Sequence, residues 1–169
     1  MAAPSEAPAA LPRLFQTGAD GTEYRLVARD GVRALDLGGR RFLEVDPAAV
    51  TRLVEAGFAD VSHLLRPAHL AQLRAILDDP DASANDRMVA LELLKNAVIS
   101  AAGAFPSCQD TGTAIIAAKK GQEALVSGDM HDAISAGVAA VWASRNLRFS
   151  QMAPITMFEE RNTGDNLPA

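Results

Sequence analysis

Residues 32 to 57 read VRALDLGGRRFLEVDPAAVTRLVEAG, and within them the apolar period changes from two to that of a helix. Val32–Leu37 and Arg41–Val45 alternate apolar and polar residues as half-buried strands do, and Gly38-Gly39 between them supplies the positive φ of a tight hairpin turn. Asp46-Pro47 then places a capping acid before a proline at the first helical position. Val50, Leu53 and Val54 recur at helical spacing, and Gly57 reads as the helix stop. A strand pair that runs directly into an amphipathic helix points to an α+β fold.

Toward the N-terminus, Tyr24–Ala28 alternates in the same way and is set off by Arg29-Asp30-Gly31, so a three-stranded antiparallel meander is expected. Residues 1–13, rich in Ala and Pro, read as a disordered lead-in to a single domain over 14–169. Toward the C-terminus, Pro67 opens a helix whose Leu70, Leu73, Ile76 and Leu77 share a face and which Asp78-Asp79-Pro80 ends. Ser83 and Asp86 resemble a capping box for a longer central helix over about 85–102, with Met88, Leu91, Leu94 and Val98 at helical spacing. Phe105-Pro106 interrupts it, and Ser107–Thr113 is a polar loop followed by Ala114–Ala118, which reads as a short buried strand. Asp129–Leu147 is amphipathic through Ile134, Val138, Val141 and Trp142, whereas Arg148–Ala169 has no periodicity. The expected architecture is therefore α+β: a mainly helical domain with a small antiparallel N-terminal sheet.

With 169 residues, 49% of them apolar and 22% charged, the chain suits one globular core. Its net charge of −5 gives no broad basic surface for nucleic acid. No apolar run reaches the roughly 20 residues of a membrane span. Without a charged start and apolar core of a secretory signal, and with one cysteine, cytoplasmic residence is the expectation.

The chemistry-bearing residues concentrate around that cysteine, Cys108, where a thiol, an amide, a carboxylate and two hydroxyls fall between Pro106 and Gly112. A buried cysteine beside an ordinary turn has the same composition. Nucleophilic or redox thiol chemistry would need a base, and His63, His69 and His131 stand in no signature with Cys108. Histidine spacing offers no zinc site, and Lys119-Lys120-Gly121 lacks the glycine pattern of a phosphate loop. A remaining reading is that Cys108 is one ligand of an iron–sulfur cluster whose other ligands lie elsewhere.

The stretch Phe105-Pro106-Ser107-Cys108-Gln109-Asp110-Thr111-Gly112-Thr113-Ala114-Ile115-Ile116, with Lys119-Lys120-Gly121-Gln122, resembles the cluster-binding region of class I, iron–sulfur-dependent fumarate hydratases. Asp60–Pro67, His69-Leu70, Asn85-Asp86-Arg87 and Ala90–Ala97 continue the likeness upstream. Asn146–Gln151, Ala153-Pro154, Met157–Glu160, Asn162-Thr163-Gly164 and Asn166–Ala169 continue it downstream. The likeness is to the N-terminal part of the family's single-chain form.

The resemblance implies a hydro-lyase of the tricarboxylic acid cycle that interconverts fumarate and malate with a [4Fe–4S] cluster held by three cysteines. Position by position, Cys108 matches a cluster ligand, Gln109 and Asp110 match substrate-facing residues, and Asp110 is also a candidate for proton transfer. Arg148 matches a contact to a substrate carboxylate. The implied partner is a small dicarboxylate, with neither nucleic acid nor membrane, in a homodimer. Two cluster cysteines are missing from these 169 residues, so the expectation is that the chain alone neither holds the cluster nor turns over. Related iron–sulfur hydro-lyases acting on tartrate or mesaconate, a non-catalytic fumarase-like interaction module, and a thiol-dependent enzyme or sensor built on Cys108 are the competing readings.

Overall fold

A computed structural model of the chain describes residues 24–108 and 112–167. The elements run β1 (Val32–Leu37), β2 (Arg40–Val45), α1 (Pro47–His63), α2 (Pro67–Asp78), α3 (Ala84–Ala101), β3 (Ala124–Val126), α4 (Met130–Ser144), β4 (Met152–Pro154) and β5 (Glu160–Asn162). The α+β class holds, with helices dominant and a small sheet near the N-terminal end of the described residues.

β1 and β2 form the expected antiparallel hairpin, in register from Val32 opposite Val45 to Leu37 opposite Arg40. Gly38 and Gly39 turn it with φ of 57° and 79°, which side chains other than glycine rarely adopt at two successive positions. The third strand is not Tyr24–Ala28, which has no strand partner and whose Arg25 instead pairs with Asp60 of α1 at 2.5 Å. It is β3, parallel to β2 with Leu43 opposite Ala124 and Val45 opposite Val126. The meander expected from local alternation is thus replaced by a pairing across about eighty residues, which Arg40 and Glu123 reinforce with an ion pair at 2.9 Å.

Local signals place the helix starts. Asp46 accepts from the Ala48 N–H ahead of α1, Ser83 and Asp86 form a reciprocal capping box on α3, and Asp129 accepts from the His131 and Asp132 N–H groups at α4. Gly57 does not stop α1, which continues to His63. The residues past it bury Phe58 and Ala59 against the core, and that packing outweighs the roughly 1 kcal/mol that a glycine costs inside a helix.

The core lies between α1 and α4. Val138, Val141, Trp142 and Leu147 are buried, with Val54, Phe58, Ala59, Ala114 and Leu167 against them. Phe58 meets Trp142 edge on, with ring centroids 5.5 Å apart, an arrangement that adds about 1 kcal/mol to simple area burial. Gly137 permits this approach, because a Cβ there would lie 2.6 Å from the Thr51 carbonyl oxygen. Thr51 Oγ1 in turn donates across the helix pair to Ala133 O at 2.9 Å.

α3 turns a different face inward than its larger residues suggest. Ala90, Ala97 and Ser100 are buried, while Met88, Leu91 and Val98 are exposed at 57%, 42% and 75%. Ala90 lies along the groove shared with α2, whereas Ser100 meets the end of α1 at His63 O. Ala114–Ala118 is not a strand, and Ile115 within it is exposed; Ala114 alone of the run joins the core. The segment after Arg148, read as aperiodic, contains the short antiparallel pair β4–β5. The expected lead-in over 1–13 lies outside the described residues.

Candidate functional site

The loop that carries Cys108 is tied down on both sides. On the near side, Ser107 donates to the Ser62 carbonyl through its N–H at 2.8 Å and through its hydroxyl at 3.1 Å. Asn96 Nδ2 donates to Ser107 O at 2.9 Å, so the residue before the cysteine is held by the last turn of α1 and the middle of α3. Behind that junction Ser100 Oγ donates to His63 O at 2.9 Å. Cys108 follows with an exposed thiol.

On the far side, Gly112 O accepts from Asn166 Nδ2 at 2.6 Å, and Thr113 Oγ1 hydrogen-bonds to Gln151 Oε1. Gln109 and Asp110, the other two sequence-predicted residues of this loop, lie outside the described residues.

Arg148 is positioned by its backbone. Leu147 is buried in the core, and Trp142 Nε1 donates to Arg148 O at 3.2 Å, which fixes the main chain while the side chain is exposed. Asn162 Nδ2 then holds Phe149 O at 2.7 Å, and the Ser150 and Gln151 N–H groups donate to Asn166 Oδ1 at 2.8 and 2.7 Å. The return of the chain through β5 also brings Thr163 N–H onto Gln151 O at 3.0 Å.

The structure therefore joins the Cys108 loop to the Arg148–Gln151 segment, some forty residues later, through the fully buried side chain of Asn166. Asn166 has φ of 58°, a conformation asparagine tolerates better than most residues. Sequence reasoning assigned it no role. Its signals were its place in the turn-forming run Asn162-Thr163-Gly164-Asp165-Asn166 and in a block of the family resemblance, neither of which names a role for it.

His63 is buried, and its Nδ1 lies 2.8 Å from Ala59 O, which places the ring proton on that nitrogen. His69 and His131 are exposed. Among the described residues no three His, Cys, Asp or Glu side chains group as a metal site. The groove of about 520 Å³ between α2 and α3, lined by Leu73, Ile76, Val89 and Leu93 with Asp79 and Asp86 at its edge, involves neither Cys108 nor Arg148. Both candidate residues, Cys108 and Arg148, are exposed.

Among the described residues no helix is long and apolar enough to cross a membrane. A sequence model described as Fumarate hydratase (Fumerase) matches residues 51–169. Fumarate hydratase 1, mitochondrial, of Leishmania major is 49% identical over 161 residues, which cover 94% of this chain and 29% of the relative. The class I anaerobic fumarate hydratase of Escherichia coli K12 is 49% identical over 155 residues, covering 92% of this chain and 28% of the relative. The class I aerobic enzyme of the same strain is 47% identical over the same shares of each chain. The chain thus spans less than a third of the length of the curated relatives it matches, and corresponds to the N-terminal part of the full enzyme. With the family model covering well over half of it and the Cys108 and Arg148 segments folded against one another, this chain belongs to the fumarate hydratase family of class I.

Proposed function

We propose that this chain is the cluster- and substrate-binding N-terminal part of a class I fumarate hydratase, which adds water to fumarate to give malate and reverses that reaction. The observation that carries this reading is the Asn166 junction, which unites the two segments that the family resemblance marks as cluster loop and carboxylate contact.

An exposed thiol on a loop anchored at both ends suits one ligand of a [4Fe–4S] cluster. The chain has one cysteine, so the other thiolates come from the rest of the full-length protein. When bound, the cluster supplies Lewis acidity toward the substrate's hydroxyl and carboxylate oxygens. The chain's own residues do the rest of what is assigned here. Arg148 clamps a carboxylate with two parallel N–H···O bonds, which a lysine cannot form. Gln109 donates to a carboxylate or accepts from a hydroxyl. Asp110 exchanges the proton at the carbon next to the one that carries the hydroxyl. The enzyme works as a cytoplasmic homodimer on small dicarboxylates.

The test is anaerobic loading of the full-length protein with iron and sulfide, followed by assays on fumarate, malate, tartrate and mesaconate. Fumarate and malate should turn over, and Arg148→Lys should raise their KM about tenfold by removing one of two parallel hydrogen bonds worth roughly 1.4 kcal/mol. The 169-residue chain alone should hold no stoichiometric cluster and show no activity. A loaded full-length protein that ignores both fumarate and malate overturns the reading, and full turnover by Asp110→Asn removes the proton-transfer role.

A further inference from the structure

We propose that Asn166 is a positioning residue that sets the spacing between the cluster-ligand loop and the arginine that receives the substrate carboxylate. What the two segments bind rests on the hydratase reading; how they are joined rests on the fold alone.

Both ends of the Asn166 amide are in use, in opposite senses. Its oxygen accepts from the Ser150 and Gln151 N–H groups at 2.8 and 2.7 Å, and its nitrogen donates to Gly112 O at 2.6 Å. A carboxylate could keep the first pair of bonds but has no proton for the third. A glutamine would offer the same groups about one methylene farther out, and an apolar residue would take the side-chain partner from all three backbone groups, two of them on half-buried residues. The clamp is itself fixed, because Leu167, the next residue, packs on the Val138–Trp142 core together with Ala114, two residues beyond Gly112. The side chain therefore connects both arms of the site to one rigid base.

That connection matters for a substrate gripped at two points. A dicarboxylate held at one end by Arg148 and at the other beside Cys108 senses the distance between them, and a misplacement of about 1 Å can cost on the order of a hundredfold in rate or affinity. A second link between the arms, Thr113 to Gln151, lies on exposed surface and gives weaker support for a fixed spacing.

Asn166→Asp and Asn166→Gly separate the two halves of the clamp in the full-length protein. Aspartate keeps the Ser150 and Gln151 acceptor but sets a carboxylate oxygen against Gly112 O; glycine accepts the positive φ without strain and removes the side chain. In the loaded enzyme both variants should raise KM for malate and fumarate about tenfold, with a smaller change in kcat and with iron and sulfide per chain unchanged. In the unloaded protein, iodoacetamide should alkylate Cys108 severalfold faster in both, read peptide by peptide. Hydrogen exchange at Ser150 and Gln151 should quicken in Asn166→Gly and stay near wild type in Asn166→Asp. Variants that merely lose thermal stability, with KM and Cys108 alkylation as in wild type, overturn the proposal. Should wild-type loaded protein turn over no dicarboxylate, the hydratase reading fails by itself, and alkylation with amide exchange still decides the clamp.

Discussion

Alanine at Gly137 places one methyl group where α4 meets α1. The new Cβ would stand 2.6 Å from Thr51 O, 2.8 Å from Val54 Cβ and 2.9 Å from Val54 Cγ1. An ordinary carbon–oxygen contact is roughly 3.4 Å, so the helices must separate locally by about 0.8 Å. None of these neighbours is the free end of a flexible side chain. Overpacking of this kind costs about 1–3 kcal/mol, and the separation also stretches the Thr51 Oγ1 to Ala133 O hydrogen bond, now 2.9 Å, whose loss costs about 1 kcal/mol. Against this stands the gain of about 1 kcal/mol from replacing a helical glycine by alanine. The net expectation is a destabilisation of about 1–3 kcal/mol. Gly57 supplies the control, since it lies inside α1 with nothing within 4 Å of a built Cβ and no positive φ. Gly57→Ala should stabilise by about 0.5–1 kcal/mol through the same propensity term. Urea unfolding followed by circular dichroism measures both, with equal m-values confirming that stability alone has changed. If Gly137→Ala were as stable as Gly57→Ala, the close α1–α4 approach would be refuted.

Trp142→Phe keeps an aromatic ring against Phe58 but removes the indole donor to Arg148 O and part of a buried volume, so a loss of about 1–3 kcal/mol is expected; an unchanged urea midpoint would show that the indole does not anchor Arg148. Ser83→Ala removes the capping box of α3 and should cost about 1 kcal/mol, read from the thermal midpoint. The same variant tests a pH effect. Hydrogen bonds from the Ser83 hydroxyl and N–H hold the Asp86 carboxyl below its ordinary range, so its contribution is present above the unfolded-state pKa and is lost as pH falls through the lowered folded-state value. Wild type should therefore lose stability in that acid window more steeply than Ser83→Ala, and identical acid limbs would exclude the linkage.

The parts of the fold that sequence reading recovers are those decided by neighbours in the chain. Asp46-Pro47, Ser83 with Asp86, and Asp129 locate helix starts because capping needs only an acceptor beside the first free N–H groups. Strand alternation is a weaker guide, because a strand exists only when another backbone pairs with it. Tyr24–Ala28 alternates and forms no strand, while Ala124–Val126, too short to show a period, completes the sheet by lying against β2. Gly57 misled for a related reason: its local cost is real, but burial of Phe58 against Trp142 is a tertiary gain that no local rule contains.

The candidate site divides along the same line. Cys108 drew notice through its residue type and Arg148 through the family resemblance, but what holds their segments was not legible, because it is made of asparagines serving other residues' backbones. Asn96 Nδ2 donates to Ser107 O, Asn146 Nδ2 to Ala104 O, Asn162 Nδ2 to Phe149 O and Asn166 Nδ2 to Gly112 O, at 2.9, 2.9, 2.7 and 2.6 Å. Each accepting carbonyl lies outside helix and strand, where no ladder can satisfy it. An amide on a short stem is suited to that task, since it reaches a nearby carbonyl and its nitrogen does nothing but donate. All four asparagines stand inside the sequence blocks that carry the family resemblance, yet none is a ligand or a substrate contact in the assignment made from them. Their presence there has a physical reason: loops outside helix and strand cannot be held by regular hydrogen-bond ladders, so side-chain amides hold them instead.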